Sequence, residues 1–265
     1  MKSHIYGNCK ARQESTFWKQ KLLTTPATLP KQKELYGFYP YRAMMYRERN
    51  QLFTAFLLII LGVIGRIYFR SFLPAMPHFH ITINGITQPI FIADMFFLVA
   101  IIALFSGILL RGIYSFIVPL AVMAITDLYY GNNFIFLFTW SGFAFISLLG
   151  YKWKNKLSFN ARSAAITTGL SILGVIIYDL WTNFGWWLGP YYPHNLQGLA
   201  LCYTLALPFF IWHLLSTVVA TAIIAYPLLY LKEHALSIKT VKPIENYIPA
   251  IASLFLAIIS FLSIL

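Results

Sequence analysis

The chain has 265 residues, of which 59% are hydrophobic, 18% aromatic and only 11% charged, and its mean hydropathy is +0.68. Soluble domains carry roughly a quarter charged residues, so this composition excludes one and identifies an integral membrane protein. Twenty Lys and Arg against eight Asp and Glu give a net charge of +12, but the cations sit in the tail and short connections, where topology and anionic lipid account for them and nucleic acid is not needed as a partner.

The first fifty residues hold ten Lys and Arg and three Glu, with no apolar stretch of the kind a cleavable signal needs. Residues 1–50 read as a basic cytoplasmic tail, with a transit peptide as the alternative. Met44 and Met45 stand directly before "YRERNQLF", the short basic preface expected ahead of a first membrane helix. Translation is therefore expected to begin naturally at one of them, with the preceding tail upstream of the start.

A crossing helix needs about twenty mostly apolar residues. Seven are predicted, over Leu52–Phe72, Pro89–Leu109, Ile113–Tyr130, Phe134–Tyr151, Ser163–Trp181, Trp212–Leu231 and Tyr247–Leu265. Gly198–Ile211 is also apolar, but Pro208 interrupts it and the run on to Leu231 is too long for one crossing. Its first half is expected to be an interfacial or re-entrant helix. The predicted fold is all-α, a polytopic transmembrane bundle with a six-helix core over 51–231, then a cytoplasmic loop and a seventh helix over 232–265.

Eighteen cations lie outside these spans, in the tail, at Arg111, at Lys152, Lys154, Lys156 and Arg162, and at Lys232, Lys239 and Lys242. All fall on one side, which the positive-inside rule makes cytoplasmic. The expected location is the cell membrane, with the N-terminus inside and the C-terminus outside. Cys9 and Cys202 then lie on opposite sides of the bilayer, and neither a disulfide nor a thiolate metal site is implied.

Arg66 and Arg70 are the cations left within or at the end of the first span, and Asp94, Asp127 and Asp179 are the carboxylates within the spans. A charge in hydrocarbon costs a few kcal/mol unless paired or wetted, so each is a functional candidate. At 1.5 Å per residue Arg66 lies roughly 20 Å above the cytoplasmic end and Asp94 roughly 8 Å below the outer one. Asp127 and Asp179 fall in the last outer turns of the third and fifth spans. All five charges are expected to converge in one water-accessible cup near the outer face; a structural ion-pair layer is the plainer reading of the same residues.

Aromatic loops follow at that level. "TNFGWWLGPYYPHN", Thr182 to Asn195, carries Asn183, Trp186, Trp187, Tyr191, Tyr192 and His194, and Tyr129 and Tyr130 follow Asp127. Rings beside fixed charges suit a flat polar ligand, although an interfacial aromatic belt would look similar. His78 and His80 alternate in the first outer connection as strand neighbours do, yet two imidazoles are an incomplete metal site. There is no Gly-rich phosphate cradle, His-Glu-x-x-His helix or Gly-x-Ser-x-Gly elbow. No catalytic set, metal site or cofactor is visible, and no inverted repeat.

The segments "GRIYFRSFLPAMPHF" (Gly65–Phe79), "VPLAVMAITDLYYG" (Val118–Gly131) and "TNFGWWLGPYYPHNLQGLALCYTLALPFF" (Thr182–Phe210) together resemble an uncharacterised family of six-helix membrane proteins. That family is distantly similar to the S components of energy-coupling factor (ECF) vitamin transporters, and the resemblance spans about Gln51 to Leu231. Matching positions are Arg66, Arg70, Pro77, His78, Asp127, Gly131, Asn183, Trp187, Gly198, Cys202 and Pro208. The resemblance implies a substrate-capture subunit that holds a small molecule near its outer face and works with a coupling subunit and ATPases.

The expected function is capture of a small polar or ring-containing solute at the outer face of the lipid bilayer. Arg66 and Asp127 are the expected charge anchors, Asp94 and Asp179 their supports, and Asn183, Trp186 and Trp187 the lid. Arg70, His78, Tyr191 and His194 are gate or loop candidates. A membrane scaffold or assembly factor is the first alternative. An intramembrane enzyme using the aspartates with His78 or His213 is the second.

Overall fold

Eleven consecutive residues, Val99 to Leu109, are buried in one helix, α2 (Leu98–Leu109). A helix that is apolar on every side has no face to offer water or headgroups, so it packs in the middle of a bundle. In this computed structural model, which describes residues 50–68, 79–83, 86–90, 98–234 and 247–263, α2 contacts α3 (Ile113–Tyr130), α4 (Phe136–Trp153), α5 (Ala161–Leu188) and α6 (Leu196–His234). The basic tail, Arg70, His78 and Asp94 lie outside the described residues.

Glycines set the closest crossing. A Cβ on Gly107 of α2 would stand 2.1 Å from the Ser147 carbonyl oxygen, and one on Gly150 of α4 would stand 2.4 Å from that of Leu104. Only hydrogen at both positions lets the backbones touch, the usual way apolar helices associate without a hydrophobic driving force between them. Ser106 Oγ donates to the Ser115 carbonyl at 2.8 Å, and Ser147 Oγ donates to the same oxygen, so α2, α3 and α4 share one buried polar knot.

The outer helices turn apolar faces outward. Leu52, Phe53, Phe56 and Leu61 of α1 (Asn50–Tyr68), Leu207, Ile211 and Ile223 of α6, and Ile251, Leu254 and Phe255 of α7 (Ile248–Leu262) are exposed. So much contiguous apolar surface belongs in lipid. By length and composition α1, α3, α5 and α6 are long and apolar enough to cross a membrane, which marks a membrane protein. The equally long α4 is not among them, because Thr139, Ser141, Ser147 and Lys152 lower its hydropathy while the bundle covers it. The seventh helix is no appendage: Ser260 of α7 donates to the Leu137 carbonyl at 2.7 Å and lies 3.0 Å from Ser141 Oγ, which accepts the Trp181 indole N–H at 2.7 Å.

Three expectations are corrected. Pro89 does not open a helix: β1 (Phe79–Ile83) and β2 (Ile86–Ile90) form a two-stranded antiparallel hairpin pairing His80 with Pro89, so the described residues are not purely α-helical. Gly198–Ile211 is not a separate re-entrant helix. α6 runs unbroken for 39 residues through Pro208 and Pro227, because an interior proline costs about 3 kcal/mol whereas an unwound turn in oil strands several backbone groups at several kcal/mol each. The fifth span does not stop at Trp181. α5 runs for 28 residues, opened by Asn160 Oδ1 accepting the Ser163 N–H at 2.8 Å and closed at Gly189. Thr182, Asn183, Trp186 and Trp187 are therefore helical, not looped.

The cationic connections gather at one end. Gln51 Oε1 accepts the Arg111 N–H at 2.8 Å, Lys154 Nζ donates to the Leu110 carbonyl at 3.1 Å from a site only 1% exposed, and Lys232 Nζ donates to the carbonyls of Lys154 and Leu157. The first helix start, two connections and the last turn of α6 are thus tied to one another.

Candidate functional site

Two separate polar clusters occupy the other half of the bundle. The first joins α1, α3 and α4. Arg66 Nη1 donates to Asp127 Oδ1 at 2.7 Å and to Thr126 Oγ1, and the Trp140 indole N–H donates to Asp127 Oδ2 at 2.7 Å. Both carboxylate oxygens are satisfied by charged or strong donors, which is what a buried Asp requires. Tyr130 closes the outside, its hydroxyl donating to the carbonyls of Arg66 and Ile67 at 3.2 and 3.3 Å.

The second cluster lies on α5 and α6. A residue repeat of three and four places side chains on one helix face. Tyr178, Asp179, Thr182, Asn183 and Trp186 on α5 face Cys202, Leu205, Ala206, Phe209 and His213 on α6 across a cavity of about 430 Å³. Asn133, Ile135 and Thr139 from the start of α4 and its preceding loop, with Tyr192 from the α5–α6 loop, complete the wall. The volume is at the small end for ligand sites, and the lining mixes convergent polar side chains with the apolar Ile135, Leu205, Ala206 and Phe209.

Asp179 carries the chemistry here. Its Oδ1 is bonded to His213 Nδ1 at 2.9 Å, and the residue is 6% exposed. Its Oδ2 is buried with no hydrogen-bond partner among the described residues. An unsatisfied carboxylate oxygen is expensive to bury and invites a donor. Neighbouring groups are already bonded: Asn183 Nδ2 donates to the Asp179 carbonyl at 2.7 Å, Thr182 Oγ1 to that of Tyr178 at 2.9 Å, and Cys202 Sγ to that of Asn183 at 3.4 Å. Burial, and then Cys202 beside it, push the Tyr192 phenol above its ordinary range, so its hydroxyl stays a neutral donor.

The expected single cup is therefore two sites. Arg66 and Asp127 pair with each other as predicted but are not on the cavity wall, whereas Asp179, Asn183 and Trp186 are. The reason is partner choice: Asp127 turns to Arg66 and Trp140, Asp179 to His213, on different helix pairs. Trp187 also leaves the lid. Its indole N–H donates to the Pro193 carbonyl at 3.0 Å, and its ring meets His194 at 5.9 Å, while His194 Nε2 bonds the Gly189 carbonyl at 3.1 Å. Tyr191 packs at 5.6 Å on both Phe134 and Trp186 at the rim. The sequence reading passed over His213, Tyr178, Thr139 and Phe209 as solute contacts. Treating α6 as one helix would have put Phe209 in phase with His213, whereas Thr139 enters from α4 and needed the packing itself.

No group of three or more His, Cys, Asp or Glu is placed to hold a metal among the described residues. Cys202 and His213 are eleven positions apart on one helix, about 16 Å along its axis, too far for a thiol–imidazole catalytic pair.

Residues 47–238 match the model of a family of unknown function, DUF6580, and the chain belongs to that family. No curated protein and no solved structure matches the sequence.

Proposed function

We propose that this DUF6580 member is a membrane-embedded binding subunit for a small, ring-containing polar solute, captured in the cavity between α4, α5 and α6. The observation that carries the reading is the buried, half-satisfied Asp179 carboxylate on the wall of a ring-lined cavity of about 430 Å³. A protein that needed Asp179 only for packing would satisfy both oxygens, as it does at Asp127.

Asn133 before α4 and Tyr192 in the α5–α6 loop line the cavity at the end remote from the tied basic connections, which supports a mouth there. Under the positive-inside rule that end faces outward. Capture from outside, with release inward driven by an energised partner, fits that arrangement and the resemblance to ECF S components. Arg66 and Asp127 then serve as a lock between α1, α3 and α4.

Native mass spectrometry of gently purified protein tests the reading. A small molecule retained by the unaltered chain and lost from Asp179→Asn is the expected result. Failure to retain or bind any small molecule, with the Arg66–Asp127 lock intact in thermal melts, would favour a scaffold instead. Single cysteines at Lys156 and Tyr191 should react with impermeant maleimide from the inside and the outside of cells respectively.

A further inference from the structure

We infer that the solute held beside Asp179 is a small monocation with an N–H donor next to a flat ring, such as a protonated amine or an amidine, and not a carboxylate or phosphate. This rests on the solute-binding reading above. Four features of the cavity carry it.

The unfilled group is an acceptor: Asp179 Oδ2 is buried, has no partner among the described residues, and belongs to a side chain that is more than nine-tenths buried on a residue lining the cavity. An N–H is the group that completes it, and a charged one does so best. Among the described residues the lining contains no Lys or Arg. The Asp179–His213 pair carries one negative charge when His213 is neutral and none when it is protonated, so these two lining residues bring no net positive charge in either state. An anionic solute would meet no Lys or Arg among the described lining residues and would lie against a carboxylate, which desolvation makes costly. The rings of Trp186, Tyr178 and Phe209 on the same wall offer stacking to a flat ligand and a negative face to a cation.

Arg66, a charge anchor in the sequence reading, is engaged by Asp127 and is not on the wall. Nothing among the described residues replaces it there.

Three isosteric probes separate the possibilities: benzamidine (cation), benzamide (neutral) and benzoate (anion), titrated by calorimetry into the full chain in detergent. Benzamidine should bind at least about tenfold more tightly than benzamide, the typical advantage of a charge-assisted hydrogen bond, and benzoate should bind least. Asp179→Asn should abolish the preference for benzamidine over benzamide. Benzoate binding as well as benzamidine, or an unchanged preference in Asp179→Asn, overturns the charge assignment while leaving a solute site in place. Binding by none of the three at millimolar concentration, together with no molecule retained through purification, removes the site itself. The rank order on the unaltered chain decides the matter without any variant having to fold.

Discussion

Replacing His213 by Ala removes the donor to Asp179 Oδ1 and leaves a carboxylate 6% exposed with neither oxygen bonded by the described residues. Breaking a buried pair from one side destabilises by about 3–5 kcal/mol. Taking the low end of that range gives about 3 kcal/mol. For a chain of this size that lowers the melting temperature by about 6–12 °C. Asp179→Leu combined with His213→Leu removes both members of the pair at once, so it should cost less than the two single leucine changes added together. It should nevertheless bind no benzamidine. Thermal unfolding in detergent, followed by tryptophan fluorescence, measures these proteins and the two single leucine variants. A His213→Ala protein that melts within about 2 °C of the unaltered one, or a double variant as unstable as the sum of the single ones, would refute the reasoning.

Arg66→Gln should lower stability by about 1 kcal/mol, because Asp127 keeps Trp140 and the arginine is 30% exposed and already partly screened. Its affinity for benzamidine should not change, since Arg66 is not on the cavity wall. Trp186→Ala should weaken benzamidine binding about tenfold by calorimetry, whereas Trp187→Ala, whose indole is tied to Pro193, should leave it unaltered. Gly150→Val should cost about 3 kcal/mol or more, because its Cβ would meet the Leu104 carbonyl at 2.4 Å and the α2–α4 crossing has no room to repack. Loss of the monodisperse peak in size-exclusion chromatography would report it.

Apolar length and cation placement were enough, without any coordinates, to read a membrane protein, seven helical segments, and an aspartate paired with Arg66. Each follows from a local rule: residues in oil must be apolar or paired, and that shows in the chain order. The sharing of Asp127 between Arg66 and Trp140, and of Asp179 with His213, was not legible. A carboxylate's partner depends on which helix faces it, and both pairs join different spans.

Pro208 and one aromatic run misled in the same direction. Pro208 and the aromatic run after Trp181 look like breaks because their effect in water is to end helices. In the bundle, backbone hydrogen bonding has no aqueous substitute, so α5 and α6 continue. That continuation brings Thr182, Asn183 and Trp186 into phase with Tyr178 and Asp179, and Cys202 and Phe209 into phase with His213. The chain order alone determined which residues must be sheltered from lipid. Tertiary packing decided which of them share a chamber, because helix rotation and facing are set by contacts between segments far apart in sequence.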